Sequence, residues 1–136
     1  MNDTNFIKSQ LESWRSCINW IEYTYPERLF ELEHELENFG AISYEEKLGS
    51  SGISESMRRS IVIDKINELN SYKEHCESVI EFCEKLLGRV KPQYRHVFEY
   101  RYKTQATWSW ITYKTGYSAS GFFKILDVET ERLANE

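Results

Sequence analysis

The stretch TWSWITYKTGYSASGFFKIL, Thr107 to Leu126, carries the residues best suited to chemistry. Its only charges are Lys114 and Lys124, and around them stand the hydroxyls of Thr107, Thr112, Ser118 and Ser120. Small hydroxyl side chains at helix starts, beside lysines, hold phosphate oxygens well. The backbone N–H groups there lack intrahelical partners, and the helix dipole favours an anion. The pattern suits binding of a polyanion rather than bond making.

No catalytic set accompanies it. There is no Gly-rich phosphate loop, no HExxH, no paired-cysteine metal motif, and no Ser, His and Asp that spacing would bring together. The chain is therefore not expected to be an enzyme, and no cofactor or metal is expected. His34 and His75 fall in amphipathic segments, and His96 is open to a phosphate contact or a plain surface position. Cys76 and Cys83 are seven apart, about 10 Å along a helix axis, too far for a bridge or a shared metal. With Cys17 they make an odd, sparse set that fits buried apolar roles and a reducing compartment.

Charge is unevenly spread. Lys plus Arg against Asp plus Glu is 4 against 10 in residues 1–50, 6 against 7 in 51–90, and 7 against 5 in 91–136. Between Lys91 and Leu126 stand Lys91, Arg95, Arg101, Lys103, Lys114 and Lys124 against Glu99 alone, a local +5. That is an electrostatic footprint for a polyanion inside a chain of net charge −5. No run of about eighteen apolar residues occurs, and MNDTNFIKSQLESW lacks the basic-then-apolar order of a signal peptide. A cytoplasmic protein without membrane contact is the expectation.

Two Pro and six Gly leave few breaks, so the fold class expected is all-α. A first helix starts at Asp3 or Thr4 and runs to about Tyr23, with Phe6, Leu11, Trp14, Ile18 and Ile21 as its stripe. A second, PERLFELEHELENF, has Pro26 in its first turn and a stripe of Leu29, Phe30, Leu32, Leu36 and Phe39; the two form an N-terminal helical hairpin. Six glutamates between Glu22 and Glu37 read as a solvated face. Gly40 ends this helix, GSSG reads as a linker, and the serines around it can cap the next helix.

From about Ser56 to Leu87 the spacing alternates four and three: Val62, Ile66, Leu69, Lys73, Cys76, Ile80, Cys83, Leu87. A long coiled-coil-like helix is predicted. Tyr72, Val79 and Leu86 widen its apolar face beyond a two-stranded seam, so the helix needs more than one partner. Val62, Ile66, Leu69, Cys76, Ile80, Cys83 and Leu87 are the expected oligomerisation residues, for a homodimer or higher oligomer. Gly88 closes the helix, and KPQYRHVFEYRY opens another with Pro92 in its first turn. On it Tyr94, Val97, Phe98 and Arg101 share a face by spacing.

These elements bracket the opening stretch. KTQAT is a loop, Thr107 caps the helix WSWITYKT, Gly116 makes the turn, and Ser118 caps a helix from Ala119 onwards. Helix, glycine turn and helix is the helix-turn-helix order. Ile111, Tyr117, Phe122 and Ile125 are spaced to meet in its core, which leaves Ala119, Ser120, Phe123, Lys124 and Asp127 facing outwards. Such a face fits a DNA major groove. The expected DNA-binding residues are Lys103, Thr107, Lys114, Ser118, Ala119, Ser120, Phe123 and Lys124.

Residues 53–134 resemble the ArpU and RinA-type phage transcriptional regulators, whose helix-turn-helix is similar to region 4 of sigma factors. The resemblance rests on Tyr100, Arg101 and Tyr102, Trp108 or Trp110, Gly116-Tyr117-Ser118, and Ser120 with Phe122 and Phe123, with ISESMRRSIVIDKI as lead-in to the long helix. It implies an activator of late phage genes that binds double-stranded DNA and works with host RNA polymerase. A phage terminase small subunit and an acidic helical interaction module or inhibitor are the alternatives. The expected domains are 1–50, acidic and helical; 51–90, the long helix; and 91–136, the DNA-binding module.

Overall fold

A computed structural model describes residues 3–38 and 54–136. Among them every regular element is helical. The order is α1 (Thr4–Asn19), a π turn (Trp20–Thr24), α2 (Tyr25–Glu37), the long α3 (Glu55–Arg89), a 3-10 turn (Pro92–Tyr94), α4 (Arg95–Phe98), a second π turn (Glu99–Lys103), α5 (Trp108–Thr115) and α6 (Ala119–Ala134). The all-α class is as expected. None of the described helices is long and apolar enough to cross a membrane.

Local chemistry sets the starts. The Asp3 carboxylate accepts from the Phe6 N–H at 2.7 Å, and Ser54 Oγ accepts from the Met57 N–H at 3.1 Å, each relieving an unpaired first-turn donor. Gly40 and the GSSG linker lie outside the described residues. Gly88, expected to close α3, sits inside it. The stop comes at Val90, ahead of Pro92, where the residue before a proline leaves helical space: Lys91 has ψ 134°.

The expected N-terminal hairpin is not formed. Asn19, Thr24 and Tyr25 all keep right-handed helical dihedrals, so the backbone passes from α1 to α2 without a turn. Pro26 lacks an N–H and crowds the preceding turn. The chain absorbs it with a π turn, in which the Tyr25 N–H reaches back five residues to the Trp20 carbonyl.

Contacts gather into two compact units, Met1–Ile18 with Glu77–Glu136 and Asn19–Cys76. In the first unit α1 buries Ile7, Leu11, Trp14 and Cys17. Its stripe is turned from the expected one, and Phe6 is 43% exposed. Phe6 still meets Phe82 of α3 edge-on, with centroids 5.3 Å apart. The Cys83 thiol donates to the Gln10 carbonyl at 3.3 Å. Val79, Leu86, Val90, Val97, Phe98, Ile111, Phe122, Leu126 and Leu133 complete this core.

The second unit is α2 with the N-terminal part of α3. Tyr25 ties the two together: its hydroxyl donates to Asn70 Oδ1 at 2.7 Å, and the Lys73 ammonium lies 4.8 Å from its ring centroid. Lys73, the charged member of the heptad row, thus covers an aromatic ring. Of the expected oligomer seam, Val62, Leu69, Cys76 and Cys83 are buried within a single chain, and Ile66, Ile80 and Leu87 are half-buried.

Candidate nucleic-acid interface

The helix-turn-helix stands on three local devices. Thr107 is extended, and its hydroxyl accepts from the Trp110 N–H at 3.3 Å, which starts α5. At the other end Gly116 has φ 76°, and its N–H closes on the Thr112 carbonyl at 3.0 Å. A side chain there would strain the left-handed backbone. Ser118 then starts α6, its hydroxyl accepting from the Gly121 N–H at 3.1 Å. A Cβ on residue 121 would come within 3.2 Å of that hydroxyl. Glycine in the first turn leaves room for the cap, which offsets the roughly 1 kcal/mol it forfeits relative to alanine.

Ile111 and Phe122 are fully buried and Leu126 nearly so, which fixes the angle at which α6 leaves the turn. Leu126 takes the central place expected of Ile125; Ile125 and Tyr117 are half-buried at the rim. Trp108 braces the pair, edge-on to Phe122 with centroids at 5.1 Å and against Phe123 at 4.5 Å. With that side occupied, Ala119, Ser120, Phe123, Lys124 and Asp127 are exposed together on α6, and Lys114 is exposed on α5. The predicted outward face is therefore present as a surface. Thr107 and Ser118 accept capping bonds, and the Ser118 hydroxyl also shares a hydrogen bond with that of Ser120 at 3.3 Å.

The cations before the turn serve other purposes. Arg95 donates to the Val90 and Gly88 carbonyls at 3.2 and 2.9 Å, capping the end of α3. Arg101 lies over the Trp108 ring, 4.8 Å from its centroid, because the π turn brings Tyr102 into the core in place of the expected Arg101 face. Lys103 is half-buried with its ammonium 5.6 Å from the Trp14 ring centroid, so it packs on α1 rather than joining the Lys124 face. Lys8 of α1, which sequence reasoning missed, reaches the α6 face and pairs with Asp127 at 3.6 Å. No sequence signal links positions so far apart.

A second missed feature anchors the far end of α6. Glu129, only 2% exposed, accepts both of its Arg132 bonds at 2.9 Å and takes the Lys91 backbone N–H at 3.2 Å. Arg132 continues to the Arg89 carbonyl and to Glu136, and Arg89 bonds Glu136 at 2.7 Å. The Arg132 hydrogen bonds hold the Glu129 carboxyl below its ordinary range, despite burial that pushes it the other way. Buried charge survives here because every partner is in place. The three-residue spacing of Glu129 and Arg132 was a readable hint.

No family model, curated protein or solved structure matches the chain.

Proposed function

We propose that the chain is a sequence-specific DNA-binding protein that lays the N-terminal half of α6 in the major groove, and that it activates phage late genes together with host RNA polymerase. One observation carries the DNA reading: a doubly capped helix, glycine turn and helix that bury Ile111, Phe122 and Leu126 while exposing Ser120, Phe123 and Lys124. In this reading Lys124 and Ser120 face base edges and Ser118, Ala119 and Lys114 approach phosphates. Phe123 gives apolar contact to a thymine methyl. The exposed salt bridge from Lys8, at 3.6 Å, offsets part of the repulsion that Asp127 would exert on the DNA backbone. The late-gene role and the polymerase come from the resemblance to ArpU and RinA-type regulators, carried by Gly116-Tyr117-Ser118, Ser120, Phe122 and Phe123.

The test is binding of the purified chain to DNA from its own genomic neighbourhood at two salt concentrations, beside Ser120→Glu and Lys124→Glu. Selective binding that weakens with salt and is lost in both variants is expected. Equal binding by the variants would remove α6 as the reading element.

A further inference from the structure

Gly121, Lys124, Ile125 and Val128 recur at helical spacing and form one flank of α6, next to its outward face. Between that flank and the 3-10 turn that follows α3 lies a cavity of about 230 Å³, walled on the side of the turn by Lys91 and Tyr94. Glu129 lines it as well, but its two oxygens bond Arg132, so its charge is balanced. The two lysines therefore leave the cavity electropositive. Glu129 also takes the Lys91 backbone N–H at 3.2 Å, which fixes the point from which that exposed side chain leaves the turn.

We propose that this cavity seats one sugar–phosphate unit of the DNA backbone, with Lys91 and Lys124 on the phosphate and Ile125 and Val128 under the deoxyribose. The inference rests on the DNA reading above and adds the strand contact that orients α6. A major groove about 12 Å wide just admits a helix about 10–12 Å across, so a backbone strand runs along each edge of the helix. At one edge of the outward face Phe123 and Asp127 are met by Trp108 and Lys8 of the chain itself. The cavity lies at the other edge, where Lys124 belongs both to the outward face and to the cavity wall. Its volume is below the roughly 300–1,000 Å³ of a small-molecule site and suits one unit of a polymer. Val128 is 56% exposed in a cavity that also holds two lysines, an apolar surface that a sugar would take out of water while its phosphate meets the cations. A backbone contact of this kind sets register without reading sequence.

The experiment measures binding of the full chain to double-stranded DNA from its genomic neighbourhood, and to an unrelated duplex, across a series of salt concentrations. Wild type is compared with Lys91→Gln, Val128→Asp, Lys124→Glu and, as a control for net charge, Lys85→Gln. All four positions are exposed, so each variant should keep the wild-type helical signal. Lys91→Gln is expected to lower the slope of log affinity against log salt by about 0.9, the equivalent of one phosphate contact, and to weaken both duplexes alike. Val128→Asp sets a carboxylate against the phosphate and should also weaken both. Lys85 pairs with Glu81 outside the cavity, so its substitution should leave the slope unchanged. A wild-type slope in Lys91→Gln, or unaltered binding by Val128→Asp, while Lys124→Glu loses binding, would overturn the cavity and keep α6 as the reading element. An equal fall in Lys85→Gln would overturn it too, as an effect of net charge alone. A wild type with no affinity for DNA would overturn both this inference and the reading it rests on.

Discussion

The two compact units are made of the same material, amphipathic helices, and differ in how deeply that material is buried. In the first, Trp14, Phe98, Ile111 and Phe122 are wholly inside. In the second, Phe30 is 71% exposed, Tyr23 67% and Met57 57%. The first unit surrounds each apolar stripe with several helices: α1, the C-terminal part of α3, and α4 to α6. In the second, Tyr25 and the π-turn Trp20 meet α3 at Asn70, Lys73 and Tyr72. Periodicity says which side of a helix is apolar; the number of neighbours decides whether that side is dry. The first unit carries the larger buried core, while the second leaves an open groove beside α2.

The comparison breaks most visibly under truncation. Phe122→Ala should cost about 3–5 kcal/mol of unfolding free energy, whereas Phe30→Ala should stay within about 0.5 kcal/mol, both read from urea denaturation. Similar losses at the two sites would erase the distinction. Next comes the charged anchor of the first unit: Glu129→Ala should cost about 1–3 kcal/mol, because the Lys91 N–H loses its acceptor and Arg132 loses two of its bonds while keeping Glu136 and the Arg89 carbonyl. The sign of the pH effect follows from its lowered pKa. The stabilisation is complete above the ordinary value of 4.5 and is lost as pH falls below it through the folded value. Urea midpoints should therefore drop on acidification below that value in the wild type, and drop less in Glu129→Gln.

Smaller effects sharpen the picture of the turn. Gly116→Ala forces a side chain into left-handed backbone, and Ser118→Ala removes a cap; each should lower stability by about 1 kcal/mol. Least costly to observe is the behaviour of Cys83. Burial pushes its thiol up to about 12, so the folded chain should resist alkylation at mildly alkaline pH and label fully only in denaturant. Rapid labelling of the folded protein would mean that the first unit opens readily.

The helix-turn-helix was legible in the sequence because its signals are local: a threonine, a glycine and a serine at fixed offsets, each doing what its own backbone requires. The burial of Val62, Leu69, Cys76 and Cys83 was legible too, as a seven-residue recurrence, but not whether their cover came from the same chain or another. The missing turn at Pro26 was not, since a proline opens a helix or interrupts one with equal ease, and only tertiary packing chooses the π turn. Lys8 on Asp127 and Arg95 on the end of α3 depend on how helices approach one another. Arg95 and Lys103 read as free cations in the sequence, but one caps a helix and the other covers a tryptophan.

The most direct test of the contrast is hydrogen exchange of the full chain with and without a DNA fragment that it binds. The account predicts slow exchange throughout the first unit in the free protein, and added protection on binding confined to the end of α5, the turn and the first half of α6. Protection on α2 with none on α6 would contradict it and move the working surface to the second unit.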